Sequence, residues 1–339
     1  MARVTAVMSR LPIALLGAGR LGVVHARTLA GIPEARLAAI ADPRPEALDL
    51  AGQFGARMFS DPEAAIADPE VRAVIIVTPT ATHAPLIEAA ARAGKAIFCE
   101  KPIALDIAST ERALSVVEQH GVPLQIGFQR RYDSGYAEAH RRIQAGELGK
   151  IHLFRAVGHD PHPPSREYIL GCGGQFVDMS IHDIDIARFL VGEVESVIAT
   201  GATLGPQAAD FRAANDWDTT TLTLRFASGA LGSILNSRQA GYGYDIHTGV
   251  LGDRGGLEIG YERHTPLTRY DTAGAHHDYV PYFPQRFAQA YASELVAFVD
   301  AVIHDRPVTP TGIDGLAALK IALAATGSAR KNGQPVRVD

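Results

Sequence analysis

Short aliphatic runs at residues 13–16, 37–41, 74–77 and 96–99 alternate with stretches of helical spacing at 21–29 and 85–93. Near-continuous apolar strands separated by helices predict a parallel sheet covered on both faces. After about Gly127 the pattern changes. Helical spacing at 134–145 and 176–190 is followed by in-out alternation at 194–201, 219–226 and 232–236, which predicts successive strands in a mostly antiparallel sheet. Two further helices are expected over 286–303 and 312–326. The texture shifts near 123–130, where Pro123 marks the change, so the expected domains are 1–127 and 128–339. The fold class is α/β: an N-terminal parallel sheet and a C-terminal α+β domain with a large, mostly antiparallel open sheet.

Composition narrows the function classes. A chain of 339 residues, 47% of them hydrophobic, has enough core for two domains. No apolar run reaches the roughly 18 residues that a membrane helix needs. The first ten residues lack a long apolar segment before Pro12, so they read as an extension rather than a signal peptide, and cytoplasmic localisation is the default expectation. Cys99 and Cys172 are the only cysteines, which suggests neither a disulfide framework nor a cysteine metal site. A net charge of −5 argues against nucleic acid and strongly anionic partners and favours a small neutral substrate.

The first chemical motif is Gly17-Ala18-Gly19-Arg20-Leu21-Gly22, between the first strand and the first helix. In that context Gly17 permits a tight turn, Gly19 lets a pyrophosphate approach the backbone, and Gly22 allows helix and strand to pack closely. The helix start offers unpaired amides to the anion. Asp42 ends the second strand, 25 residues after Gly17, where a carboxylate accepts hydrogen bonds from an adenosine ribose and favours NAD; Arg44 leaves NADP open. The bland alternatives are a structural turn for the glycines and an ordinary turn aspartate before Pro43.

Two more strand tails, Thr78-Pro79-Thr80-Ala81-Thr82-His83 and Cys99-Glu100-Lys101-Pro102, emerge at the carboxyl edge of the parallel sheet, where ligands bind in open α/β folds. Lys101 there can hydrogen-bond a reacting hydroxyl and stabilise developing oxygen charge, against the alternative of a solvated surface lysine. His83, at a helix start, suits capping or core packing better than catalysis.

In the run from Gly173 to Asp185, helical spacing places Asp178, His182 and Asp185 on one face amid Val177, Ile181, Ile184 and Ile186, with Asp183 turned away. A carboxylate beside an imidazole is a candidate acid/base pair. A structurally satisfied histidine and a metal pair are the alternatives; no metal is expected.

Taken together, the glycine motif, Thr78-Pro79, Glu100-Lys101-Pro102, and Gly173-Gly174 followed by Asp178-x-x-x-His182-Asp183 resemble the Gfo/Idh/MocA oxidoreductases, and within them the inositol dehydrogenases. Residues 127–136, Tyr242-Gly243-Tyr244-Asp245, and Arg286-Phe287 with Tyr291 extend the likeness over nearly the whole chain. The resemblance implies a Rossmann domain and an oligomerising C-terminal domain, as homodimer or homotetramer. It implies a catalytic set of Lys101, Asp178 and His182, with His182 as general base. Gly17, Ala18, Gly19, Arg20, Leu21, Asp42, Thr78, Pro79, His83, Glu100 and Lys101 would line NAD. Arg130, His159, Asp160, Asp185 and Tyr244 would meet the substrate, a cyclic polyol oxidised at a secondary hydroxyl. An aldose dehydrogenase, an NAD-retaining glycoside hydrolase and a sensor without turnover are the competing readings. The proline-dense stretch Asp160-Pro161-His162-Pro163-Pro164 departs from some inositol dehydrogenases and leaves the stereoisomer open.

Overall fold

The computed structural model describes residues 10–260 and 263–338, so the expectation for the chain start falls almost wholly outside them. Two compact units result. The first is the chain up to Gly127 together with Tyr291–Leu316, and the second is Phe128–Ala290 with the chain from Ala317 onward. Assigning all of 128–339 to the second domain is thereby corrected. Leu295, Phe298 and Val299 are buried in one core with Ile13, Leu15, Ile40, Ile75 and Phe98. Their spacing marks an apolar helix stripe, but a stripe does not say which sheet it will cover.

In the first unit the elements run β1 (Leu11–Leu16), α1 (Arg20–Ala30), β2 (Ala35–Ala41), α2 (Ala47–Phe54), β3 (Arg57–Phe59), α3 (Pro62–Ala67), β4 (Ala73–Ile76), α4 (His83–Arg92), β5 (Ala96–Glu100), α5 (Ile107–His120) and β6 (Leu124–Gly127). All six strands are parallel, in the order β3-β2-β1-β4-β5-β6. This is the doubly wound Rossmann order, whose direction reverses between β1 and β4, and ligands bind at the carboxyl edge of that switch point. The anticipated strands are the fully apolar ones. The edge strand β3 has only three, partly exposed residues and carries no pattern of its own.

The second unit contains α6 (Ser134–Gln144), β7 (Ile151–His159), α7 (Arg166–Gly171), α8 (Ile181–Val191), β8 (Val194–Ala202), α9 (Ala208–Ala213), β9 (Thr219–Phe226), β10 (Leu231–Ser237), β11 (Asp245–Gly252) and β12 (Gly256–Ile259). After these come β13 (Arg269–Asp271), β14 (Gly274–His276), α10 (Phe283–Arg286), α11 (Ala288–Ile303), α12 (Gly312–Arg330) and β15 (Val336–Arg337). The large sheet runs β12-β11-β7-β10-β9-β8-β15. Its pairings are antiparallel except that β7 and β10 run parallel, with His159 opposite Ser237. That one parallel pair brings the carboxyl ends of β7 and β10 side by side.

Residues 176–190 do not form one regular helix, as their spacing predicts. Phe176–Ser180 is a turn of π-helix that feeds α8. The i→i+5 turn takes in an extra residue, so Asp178 and His182 are not related by one ordinary α-helical turn; such bulges recur at functional sites.

Candidate active site

The glycine turn follows from local sterics. Gly17 has φ +102°, and a β-carbon there would lie 2.7 Å from the Val77 carbonyl oxygen; one on Gly22 would collide with the Gly17 carbonyl oxygen. Glycine is therefore required at both positions. At Gly19 the nearest atom to such a β-carbon is the Arg44 guanidinium, 3.9 Å away, and no side chain caps the start of α1. The amides of Arg20 and Leu21 thus begin a helix whose N-terminal end is open to an anion. This cradle fits a dinucleotide pyrophosphate.

Asp42 is built into the same turn. Its carboxylate accepts the Ala18 N–H at 2.7 Å, the Arg44 N–H at 2.9 Å, and both Nε and Nη2 of Arg44 at 2.9 and 2.8 Å. Hydrogen bonds from the Arg44 side chain, opposed by burial and aided by the Ala18 amide, pull its carboxyl down to about 2. Asp42 is thus an anion at the end of β2, and Arg44 sits on it with its side chain mostly exposed.

At the third strand tail, His83 is buried, with Nε2 2.7 Å from the Thr78 carbonyl and Nδ1 2.8 Å from the Pro102 carbonyl. Burial lowers its pKa. It ties the Thr78-Pro79 and Lys101-Pro102 segments together, two stretches expected beside the cofactor. Glu100 is likewise buried and lies 2.8 Å from His25 Nε2. A β-carbon on Gly127 would come within 2.9 Å of the Glu100 carboxylate, so the glycine makes room for it. Lys101 follows directly, partly exposed at the carboxyl end of β5.

In the second unit, each aspartate of the run from Gly173 meets an arginine. Asp183 is fully buried and accepts from Arg130 Nη1 and, at 2.8 Å, from Asn236 Nδ2. Asp185 is gripped through both oxygens by Arg131, at 2.9 and 2.6 Å. Asp178 accepts the Tyr168 hydroxyl on Oδ1 at 2.8 Å and Arg238 Nη2 on Oδ2 at 2.7 Å. Arg130 and Asp185, expected at the substrate, are both buried in ion pairs on α8. Asp183, turned away from the expected common face, is the Arg130 partner. His182 is half-buried, with the Phe128 ring edge-on at 6.3 Å.

The remaining substrate candidates lie at the β7 and β11 ends. His159 Nδ1 stands 2.7 Å from the Tyr242 hydroxyl, which in turn donates to Asp245 Oδ2 at 2.8 Å. The imidazole therefore donates through Nδ1 and keeps Nε2 as an acceptor, and burial holds its pKa below the usual value. Asp160 backbone groups bridge to Ser237 and Ala240. Burial, partly offset by Arg238, pushes its carboxyl up to about 6. Tyr244 is buried edge-on to Tyr282 and Phe287, at 5.5 and 6.5 Å. Arg131, Tyr168 and Arg238 escaped the sequence reading. Among the described residues no group of three or more His, Cys, Asp or Glu side chains is arranged to hold a metal, and no helix is long and apolar enough to cross a membrane.

A doubly wound sheet with an uncapped glycine turn and an aspartate at the end of its second strand has the form of a dinucleotide-binding domain. Residues 11–128 match the profile described as the oxidoreductase family with NAD-binding Rossmann fold, and 136–258 match the GFO/IDH/MocA C-terminal domain. The chain belongs to the Gfo/Idh/MocA oxidoreductases. It is 41% identical over 331 residues to a scyllo-inositol 2-dehydrogenase (NAD(+)) of Bacillus subtilis, covering 96% of each chain. It is also 41% identical over 325 residues to an inositol 2-dehydrogenase of Rhizobium meliloti, covering 94% of this chain and 97% of that one. The crystal structure of a scyllo-inositol dehydrogenase from Lactobacillus casei with bound NAD(H) and scyllo-inositol superposes with a TM-score of 0.91 at 33% identity, over 97% of this chain and 99% of that one. The protein is an NAD-dependent oxidoreductase of the kind that acts on CH–OH groups.

Proposed function

We propose that the protein oxidises a secondary ring hydroxyl of a cyclic polyol, an inositol of myo or scyllo configuration, to the ketone. The observation that carries this reading is the 41% identity, over 96% of both chains, to an enzyme named for that chemistry. NAD, when bound, supplies the hydride acceptor. Gly17, Ala18, Gly19, Arg20 and Leu21 receive its pyrophosphate, Asp42 the adenosine ribose, and Thr78, Pro79, Glu100 and Lys101 flank its nicotinamide half.

His182 takes the hydroxyl proton on a neutral imidazole nitrogen, the usual part of a histidine general base. Asp178 stabilises the imidazolium that results, and Lys101 donates to the same substrate oxygen as its charge grows. His159, Asp160 and Tyr244 receive the other hydroxyls; a polyol needs such convergent polar groups. The test is net NADH formation across myo-inositol, scyllo-inositol and aldoses, with Lys101→Ala and His182→Ala expected to lose roughly 10²- to 10⁴-fold. A preference for aldoses, or aryl glycoside cleavage without net reduction, would sink the polyol reading.

The same reading places the enzyme in the cytoplasm as a homodimer or homotetramer. Both cysteines are buried and free, in keeping with a reducing compartment. One face of the large sheet exposes Leu153, Ile198, Leu231, Leu235 and Leu251, each between 41% and 49% accessible, which suits burial against another copy.

A further inference from the structure

Arg238 closes a chain of buried contacts that ends on Asp178. It stands just past β10, and its backbone N–H donates to the Asp218 carbonyl at 2.9 Å. Its side chain is only 4% accessible. Nε donates to Gln175 Oε1 at 2.6 Å, Nη2 to Asp178 Oδ2 at 2.7 Å, and Nη1 lies 3.9 Å from Asp160 Oδ2. Gln175 is itself fully buried, its backbone N–H held by both oxygens of Asp216 at 3.0 and 3.1 Å. The fork of the guanidinium is thus fixed at one end by an amide and presents its other end to a carboxylate. The opposite oxygen of Asp178 receives the Tyr168 hydroxyl.

We propose that Arg238 is a positioning residue: with Tyr168 on the second oxygen, it holds the Asp178 carboxylate charged and in a single orientation for service to His182. The inference rests on the reading of Asp178 as part of the catalytic set. A carboxylate in the nearly closed π-turn would otherwise favour its neutral form, because burial penalises charge. A buried ion pair adds little net stability over apolar packing of the same shape. What this pair supplies is a fixed anion. Lysine cannot reproduce it, since only the planar fork engages Gln175 and Asp178 at once.

Two carboxylates compete for this cation, and their geometry separates them. Asp178 is in direct contact, whereas Asp160 is farther off and reaches about 6. The other groups facing the cluster are Tyr168 and Cys172 at α7, Asp216 before β9, Arg130, and His162 beside Asp160. None of these replaces the direct contact of Arg238 with Asp178.

The test combines two readouts on Arg238→Ala, Arg238→Lys and Tyr168→Phe, with NAD present. The first is the pH titration of the Asp178 carboxyl carbon in protein carrying ¹³C-labelled aspartate, the signal assigned by its loss in Asp178→Asn. The second is the pH profile of kcat/KM for inositol oxidation. Arg238→Ala should move the carboxyl titration up by about one unit or more, Arg238→Lys by less, and Tyr168→Phe by a fraction of a unit. The acid limb of kcat/KM should climb in the same order, with kcat reduced about tenfold in Arg238→Ala and KM for NAD unchanged. If Arg238→Ala does not fold, the two conservative variants decide. Titrations and acid limbs that superimpose on the unmodified enzyme in both would overturn the proposal. An unmodified enzyme that oxidises no polyol removes the functional reading, while the carboxyl titration still judges the role of Arg238.

Discussion

His25 Nε2 lies 2.8 Å from Glu100 Oε1, with both side chains buried beneath the glycine turn and the β5 carboxyl end. The rings of Phe98 and Tyr291 meet His25 edge-on at 5.6 and 5.7 Å, so the imidazole is held from three sides. A residue in the second turn of α1 and a strand-end residue 75 positions apart thereby lock the two segments that flank the cofactor cradle.

The fully buried Glu294 is a second carboxyl in that neighbourhood. Both its oxygens lack a hydrogen-bond partner, and burial, reinforced by Glu100, holds it well above the usual carboxylate range. A raised carboxyl binds its proton more tightly in the folded state, so it costs stability as pH rises above its unfolded pKa. Glu294→Gln should melt at higher temperature than the native protein at pH 8, with the gap closing toward pH 4. A lower melting temperature at pH 8 would contradict this.

On the proposed reading Asp42 meets the adenosine ribose and so presents an anion where NADP would carry its phosphate. Asp42→Ala should raise KM for NAD about tenfold, equivalent to about 1.4 kcal/mol, and release Arg44 to meet a 2′-phosphate. Steady-state kinetics with both cofactors checks this; unchanged discrimination would assign Asp42 to the turn alone. Its own titration near 2 leaves no pH dependence above pH 5.

Burial, partly offset by Arg238, holds the pKa of the Asp160 carboxyl at about 6. Above that pH it is an anion able to accept substrate hydroxyls, so KM for the polyol should fall as pH rises through 6. Asp160→Asn should flatten that dependence. The stability effect has the opposite sign: a carboxyl raised to about 6 loses stability progressively from its unfolded pKa up to 6 and keeps that loss at every higher pH, so Asp160→Asn should melt higher at pH 7.5. A KM profile identical in both proteins would place Asp160 away from the substrate.

The open face of the large sheet offers a separate prediction. Leu231→Asp together with Leu235→Asp should shift the mass measured by size exclusion with light scattering toward the monomer at micromolar concentration. An unchanged mass would mean that assembly uses another surface. The individual substitutions lie on exposed alternate positions of β10, so the fold itself should tolerate them.

Legibility followed burial. Strands buried on both faces, such as β1, β4 and β5, carry uninterrupted apolar runs and announce themselves. By contrast β7, which places His159 and Asp160, interleaves His152, Arg155 and Gly158 with its apolar residues, and β11 buries Asp245, His247 and Thr248. Arg155 pairs with Glu258, His159 with Tyr242 and Thr248 with Tyr136, all distant in sequence, so no local period reveals them. Gly158 shows the same dependence: a β-carbon there would press on Asn236 and Asp183, whose approach nothing local foretells.

The sequence by itself determined the dinucleotide fold, because a glycine turn between an apolar strand and a helix is governed by backbone sterics within a few residues. It also carried the likeness that marks the family, and it set Lys101, Asp178 and His182 apart as chemistry-bearing residues. Tertiary structure alone decided that residues 291–316 return to the first unit, that Arg130 and Asp185 serve ion pairs, and that Arg238 clasps Asp178. Buried charges take partners from wherever the fold brings a counter-charge, and Asp178 and Arg238 stand 60 positions apart in the chain.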